Sequence, residues 1–326
     1  MKRIILFILT LVVQTSHSQN NWLSKIEDSR EIANISIPGT HNSATGNKLK
    51  YGICLGVTQH LSIEEQWEMG IRAFDLRPDI KDGEMNIYHG ALKTRITFPE
   101  AIETILDNLE TAPDEFAIVI IRQERFGNDA TKRELWSKYI GEYIASLGSK
   151  AAVFHPQITA GEMRGKILFL SRNDYSHCNK GGYIRGWSHS PKGTNSAAIV
   201  SYNNDEQASL EMQDLYAPLN NEKQKEKLQT IISLIEEKRS DELQWSINYL
   251  SGYRSTLLGI EGIPSMKGYL KNAEYIHKGT LEYLKEKKHK GGIGIIMMDF
   301  AGKEKVKQYQ TLGASVVNAI IVSNFQ

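Results

Sequence analysis

Three features of this sequence predict an α/β fold closed into one barrel of seven or eight strands. Short apolar runs alternate with amphipathic segments along the chain, the pattern of strands and helices in one α/β unit. The runs are apolar on both faces, as strands buried under helices are. Charged residues fall just after these runs, and in a parallel barrel those positions form a single rim.

The expected strands lie at 32–37, 72–77, 117–122, 166–171, 198–202, 244–250 and 293–299, with a further short strand at 85–88. Ile102, Ile105, Leu106 and Leu109 recur at helical spacing, as do Leu228, Ile231, Ile232 and Ile235. Pro99 stands near a helix start, where its missing N–H is tolerated. The Lys- and Glu-rich stretch 221–227 reads as the solvated start of a helix. Val306, Tyr309, Val316, Val317, Ile320 and Ile321 suggest a long closing helix. No repeat, low-complexity tract or linker interrupts the alternation, so residues 19–326 are expected to form one domain.

The chain has 326 residues, 40% of them hydrophobic, ample for a large core. Its net charge of +1 provides no global field to recruit nucleic acid or an anionic bilayer, so any membrane contact must be local. Residues 1–18 read as a secretory signal: Lys2 and Arg3 lead an apolar stretch at 4–13 and a small-residue site at Ser16 and Ser18. That stretch is too short to span a bilayer. The mature chain is expected to be soluble and secreted or periplasmic. In an oxidising compartment Cys54 and Cys178 either pair or remain two thiols, and sequence does not decide between these.

The polar residues on the expected rim form a set. His41 follows the first strand in Pro-Gly-Thr-His-Asn, and Asp75 and Arg77 end the second. His89 comes soon after, in Tyr88-His89-Gly90. Arg122 ends the third strand, Arg172 follows the fourth, Asp214 and Tyr216 follow the fifth, and Asp299 ends the last. One such residue is usually structural, and Asp75 with Arg77 can be a simple salt bridge. Six strands each delivering a charged or titratable group to one rim favour a site.

The residue types suit acid–base attack on a phosphodiester. Imidazoles are poised for proton transfer near neutral pH, so His41 can take a proton from a hydroxyl and His89 can give one to a leaving oxygen. Arg77 can hold two phosphoryl oxygens and stabilise charge developing on phosphorus. Asp299 or Asp75 can orient an imidazole. Arg122, Arg172 and Asp214 can bind a polyhydroxylated headgroup, and Tyr216 offers a flat face to a ring. His60, His155, His177, His189 and His277 sit in no comparable context and receive no role.

These residues resemble a known family. Ser36-Ile37-Pro38-Gly39-Thr40-His41, Phe74-Asp75-Leu76-Arg77, Tyr88-His89-Gly90, Gln213-Asp214-Leu215-Tyr216 and Met298-Asp299-Phe300 match, in order and approximate spacing, bacterial phosphatidylinositol-specific phospholipase C with its X-type catalytic barrel. The resemblance runs from about Ile32 to the C-terminus. It implies a distorted, incompletely closed TIM-type barrel. It also implies cleavage of phosphatidylinositol, often of glycosyl-phosphatidylinositol anchors too, to diacylglycerol and inositol 1,2-cyclic phosphate. By position, His41 is the general base assisted by Asp299, His89 the general acid and Arg77 the phosphate ligand. Arg122, Arg172 and Asp214 bind inositol hydroxyls, and Tyr216 stacks on the ring. Arg122 stands where bacterial relatives carry lysine.

The resemblance breaks at Asn42. The bacterial pattern has aspartate there, supporting the general acid. Asparagine at that position is a metal ligand in the calcium-dependent eukaryotic enzymes, which lack the arginine of the second motif. This chain keeps Arg77, whose guanidinium beside Asn42 and Asp75 would repel a cation, so no metal or other cofactor is expected. Weaker acid catalysis by His89 is the expected cost. The expected partner is phosphatidylinositol at a membrane surface, met by a monomer in peripheral contact. Tyr51, Ile53, Leu55, Tyr249, Leu250 and Tyr253 are rim residues that either insert between headgroups or pack their loops. Two alternatives compete. A metal-dependent glycerophosphodiesterase-like barrel would want acidic ligands at strand ends that are instead arginine-rich. A catalytically weak inositol-glycan-binding module is kept open by Asn42.

Overall fold

Twelve strands appear in the structure, a computed structural model that describes residues 20–47, 56–124, 129–188, 193–216, 220–240, 244–254, 265–287 and 292–326. They are β1 (Ile37–Thr40), β2 (Ala73–Leu76), β3 (Pro78–Lys81), β4 (Glu84–His89), β5 (Leu92–Thr97), β6 (Ala117–Ile121), β7 (Ile167–Ser171), β8 (Gly182–Arg185), β9 (Thr194–Ser201), β10 (Gln207–Gln213), β11 (Trp245–Tyr249) and β12 (Ile295–Met298). Nine of them form a closed barrel in the order β1-β12-β11-β10-β9-β8-β7-β6-β2, and β3, β4 and β5 form a small separate sheet. The α/β barrel expected from the sequence is therefore present.

The ring has nine strands where seven or eight were expected, and its details differ in two further ways. First, β9 pairs antiparallel with both β8 and β10, while every other pair in the ring is parallel. Short connections at 186–193 and 202–206 turn the chain back on itself and leave no room for crossover helices. This is the distortion. Second, the ring is closed, not open. The closing pair β1–β2 is thin, with Gly39 opposite Ala73 and Thr40 opposite Phe74. Gly39 makes this approach possible: a Cβ there would meet Met297 Sδ and lie 2.8 Å from Ala73 Cβ.

The parallel strands β1, β2, β6, β7, β11 and β12 are fully buried, with Ile118, Val119, Ile120, Leu168 and Leu170 among the residues showing no exposed surface, while β8, β9 and β10 carry exposed positions. Helices α1 (Ile63–Glu68), α2 (Phe98–Thr111), α3 (Ala130–Ser146), α4 (Ala160–Met163), α5 (Asn221–Ser240), α6 (Met266–Glu286) and α7 (Gly313–Val322) complete the fold. The start of α2 is written in the sequence. Thr97 and Glu100 form a capping box, Pro99 lies in the first turn, and Ile102, Ile105 and Leu109 make the buried stripe. At the other end of the barrel the last residues are tied to the first strand. Asn324 Nδ2 donates to the Ser36 carbonyl (2.9 Å) and its Oδ1 accepts from the Ser36 N–H (2.8 Å).

Several local expectations need correction. Residues 32–34 form a 3-10 turn, and the first strand is Pro-Gly-Thr itself with its neighbour Ile37. The closing helix covers only Gly313–Val322, because Val306 and Tyr309 bridge each other and Lys307 and Leu312 have positive φ. The start of α5 is not wholly solvated: Gln224 is buried and Lys227 shows no exposed surface. Tyr249, Leu250 and Tyr253 are buried and so are not available for membrane insertion. They pack the walls of the rim instead. The signal segment at 1–18, Cys54, and the rim residues Tyr51, Ile53 and Leu55 lie outside the described residues. Cys178 is a half-buried free thiol.

Candidate active site

The residues after β1, β2, β6, β7, β10 and β12 meet at the C-terminal rim, where barrel enzymes carry their sites. His89 arrives differently. It ends β4 of the small sheet, an excursion between β2 and β6 that brings the second histidine over the barrel mouth.

His41 is the best-anchored group. Its backbone N–H donates to the Met298 carbonyl (3.0 Å), and its own carbonyl accepts from Gln59 Nε2 (2.9 Å) and Thr58 Oγ1 (3.2 Å). Its Nδ1 lies 2.7 Å from Asp299 Oδ1, and its Nε2 lies 2.9 Å from Asn42 Nδ2. An amide N–H can only donate, so Nε2 bears the lone pair and the ring proton sits on Nδ1, toward Asp299. Burial, then the charge of Arg77, hold the His41 imidazole well below its ordinary pKa. Burial pushes the Asp299 carboxyl up, against the Gly252 N–H and the charges of Lys227 and Arg77. The Asn42 amide donor at Nε2 places the shared proton on the imidazole.

His89 stands opposite. Its ring centroid is 6.2 Å from that of His41, and the two rings are nearly perpendicular. Its Nδ1 lies 2.7 Å from the Gly56 carbonyl, so Nδ1 carries a proton and Nε2 faces the site chemistry. Burial and the Arg77 charge lower its pKa, while the Gly56 hydrogen bond and Glu124 raise it.

Arg77 is clamped between two carboxylates. Nη2 donates to Asp75 Oδ2 (3.0 Å) and Nη1 to Glu124 Oε1 (3.1 Å). Burial alone would lower its pKa; Asp75 and Glu124 more than offset this and raise it. Asp75 is thereby committed to Arg77 and to the Asn42 N–H (3.3 Å) and does not touch either imidazole. Burial would raise the Asp75 carboxyl, but Arg77 holds it low.

The remaining expected residues line the same mouth. Arg122 Nε donates to Glu124 Oε2 at 2.8 Å. The Arg172 guanidinium stacks 3.9 Å from the Trp187 ring centre, and burial lowers it to about 10. Asp214 is buried and acts electrostatically on Arg172, Lys227 and His41. The Tyr216 ring stands edge-on 5.5 Å from His41.

Asn42 departs from the expectation. Its amide serves His41, not His89, and its Oδ1 is buried with no hydrogen-bond partner among the described residues. The backbone explains the aim: Asn42 has φ +48°, a conformation asparagine tolerates better than most residues.

Four groups escaped the sequence reading. Glu124 joins Arg77, Arg122 and the Gly90 N–H (2.8 Å), and lies two positions past Arg122 with nothing local to mark it. Tyr249 and Tyr269 wall the site, their ring centres 6.0 Å from His41 and 6.1 Å from His89. Lys227 lies beneath, its Nζ 2.7 Å from the Leu215 carbonyl. A lysine on the apolar-stripe side of an otherwise solvated helix start was the one available signal.

This arrangement defines a class: an α/β barrel whose mouth holds two imidazoles, one oriented by a carboxylate, beside a carboxylate-clamped guanidinium. Residues 35–173 match the family model of the phosphatidylinositol-specific phospholipase C X domain. That segment contains His41, Asn42, Asp75, Arg77, His89, Arg122, Glu124 and Arg172. The chain is 31% identical over 167 residues to 1-phosphatidylinositol phosphodiesterase of Listeria monocytogenes, covering 49% of this chain and 51% of that protein. It is 25% identical over 207 residues to the Staphylococcus aureus protein of the same name, covering 62% of this chain and 65% of that one. The chain thus aligns with about half to two thirds of these relatives' length. In three dimensions the likeness is wider. A point mutant of the S. aureus phosphatidylinositol-specific phospholipase C superposes with a TM-score of 0.74 at 20% identity, over 93% of this chain and 97% of that one. The L. monocytogenes enzyme gives 0.67 at 23% identity, over 94% and 98%. The resemblance to the bacterial phospholipases C and their TIM-type barrel, read from the motifs, is thus supported by independent comparisons.

Proposed function

We propose that this protein cleaves phosphatidylinositol to diacylglycerol and inositol 1,2-cyclic phosphate. The observation that carries this reading is the pair of imidazoles 6.2 Å apart with Arg77 held beside them on two carboxylates. His41 Nε2 takes the proton of the inositol 2-hydroxyl as its oxygen attacks phosphorus. Asp299 stabilises the imidazolium that results. Arg77 neutralises the charge that develops on the phosphoryl oxygens. The bond to the glycerol oxygen breaks, and His89 gives that oxygen a proton. Arg122, Arg172 and Asp214 hold ring hydroxyls, with Tyr216 at the edge of the ring. Each proton-transfer step contributes ~10²–10⁴-fold.

The reaction on this reading needs no metal, because the Arg77 and Arg122 guanidiniums already neutralise Asp75 and Glu124. The protein acts as an exported monomer in peripheral contact with the membrane, the export resting on the basic and apolar pattern of residues 1–18.

The test is formation of inositol 1,2-cyclic phosphate from phosphatidylinositol vesicles after exhaustive chelation. His41→Ala and His89→Ala should each remove most activity. Activity lost on chelation and restored by calcium would overturn metal independence. One observation favours a second reading, a weak or inactive inositol-glycan binder: the Asn42 amide occupies the His41 lone pair in the resting site. Saturable inositol binding without product would establish it.

A further inference from the structure

A second cavity lies outside the barrel mouth, between the first turns of α5 and the second to fourth turns of α6. Its volume is about 460 Å³, within the range of small-ligand sites. Asn221, Gln224 and Lys225 line it from α5; Lys271, Glu274, Tyr275 and Lys278 line it from α6; Arg254 and Tyr309 close it. The α6 residues recur at three- and four-residue spacing and so share one helix face. None of these side chains belongs to the acid–base site. The cavity is nonetheless its neighbour. Arg254 directly follows Tyr253, whose ring is 5.3 Å from Tyr216 and 6.0 Å from Tyr269.

The cavity is built for an anion. Four cationic side chains line it against one carboxylate, in a protein whose overall charge is only +1. The carboxylate is already engaged, since Glu274 Oε1 accepts the Gln310 N–H at 2.8 Å. Lys278 has only a distant, exposed partner, Glu282 at 3.9 Å. Among the described residues Lys225, Lys271 and Arg254 make no ion pair. The decisive group is Gln224. It is 3% exposed, it lines the cavity, and its Nε2 has no hydrogen-bond partner among the described residues. A buried amide donor left unmatched is costly, a cost that an acceptor in the cavity removes.

We propose that this cavity binds a phosphate-bearing anion, with Lys225, Lys271 and Arg254 supplying charge and Gln224 Nε2 a buried hydrogen bond. The start of α5 and Arg254, the residue after Tyr253, both line it, so the cavity opens beside the mouth. A phosphate there comes either from an anionic lipid headgroup or from a soluble phosphate. The proposal does not depend on the reaction assigned to the acid–base site.

The test avoids inositol lipids. The full-length protein and its Lys225→Glu/Lys271→Glu variant are cosedimented with phosphatidylcholine vesicles with and without phosphatidylglycerol. Both are also titrated calorimetrically with inorganic phosphate. In the wild type phosphatidylglycerol should tighten vesicle binding, and the variant should lose at least about tenfold of that affinity. The phosphate stoichiometry should fall by one site in the variant. Gln224→Leu, which keeps every charge, should also weaken phosphate binding. Loss of the phosphate site with vesicle binding unchanged supports the site and assigns its ligand to soluble phosphate. An unchanged phosphate isotherm in both variants overturns the proposal, whatever the vesicles do, because vesicle binding alone is then diffuse surface charge.

Discussion

The ammonium of Lys227 lies 2.7 Å from the carbonyl oxygen of Leu215, in a position with no exposed surface. Its second contact is Gln213 Oε1, at 3.3 Å. It reaches the floor of the acid–base site from α5, and burial lowers its pKa from 10.5 to about 7, against the opposing charges of Asp214 and Asp299. A lysine whose folded pKa is depressed penalises the folded state while charged, and the penalty fades as pH rises from the folded value to the unfolded one. Wild-type stability should therefore gain a component between pH 7 and 10.5 that Lys227→Met lacks. Chemical denaturation of both proteins across that range measures it. The variant should also lose about tenfold in kcat, because Asp214 and Asp299 lose their shared cation; unchanged kcat would remove Lys227 from the positioning of the site.

Glu124 gives the opposite sign. Burial would raise its pKa, but Arg77 and Arg122 hold it at about 2, below its ordinary 4.5. A depressed carboxylate contributes stability that is present above the ordinary value and lost as pH falls toward the folded one. Thermal melts of the wild type should drop between pH 4.5 and about 2, and Glu124→Gln should flatten that drop. At pH 7 the variant leaves two guanidiniums facing one another and should be destabilised by about 3–5 kcal/mol.

The pH optimum should be acidic. His41 must be neutral to act as base, and burial and Arg77 hold it well below its ordinary 6.5. His89 must be protonated to act as acid, and it too is lowered, though less. The bell in kcat/KM should then fall on its alkaline side below pH 6.5. A kcat/KM profile with its optimum above pH 7 would overturn the lowering of the two imidazoles.

Asp299→Asn should cost ~10²–10⁴ in kcat while leaving the fold intact, because an amide can no longer fix the His41 tautomer or stabilise its charge. Paired kcat and melting measurements separate these effects. A loss of folding equal to the loss of rate would make Asp299 structural.

Asn42→Asp removes the amide from the His41 lone pair and restores a carboxylate near the two imidazoles. A nearby negative charge favours both imidazolium forms. The alkaline limb of kcat/KM should move to higher pH and kcat should rise severalfold. Asn42→Ala, which frees the lone pair without adding charge, should leave the alkaline limb in place. The two profiles together show whether the amide or the missing carboxylate limits the rate.

Much of the fold was legible because its signals are local. Both-face apolar runs at 117–122 and 166–171 gave β6 and β7 almost to the residue, and the Thr97–Glu100 pair marks the start of α2. Where a signal was weak the reading slipped. β10 alternates exposed and buried positions beside β9, and so resembled a loop rather than a buried parallel strand. The apolar residues at 306–321 keep helical spacing, yet the backbone at Lys307 and Leu312 turns left-handed.

The sequence alone placed His41, Arg77, Arg122, Arg172 and Asp299 at strand ends, because strand periodicity is local. Residue types left Asp75 and Asp299 both able to orient an imidazole, and the family resemblance favoured Asp299. Tertiary structure gives the geometry: Asp299 meets His41 across 258 residues, while Asp75 stays with Arg77 two residues away. The same holds for Glu124, 47 residues from Arg77, for Lys227 beneath the site, and for the aim of the Asn42 amide. Each of these depends on which distant side chains barrel closure brings within a few ångströms, and on the burial that closure imposes. Local sequence encodes neither.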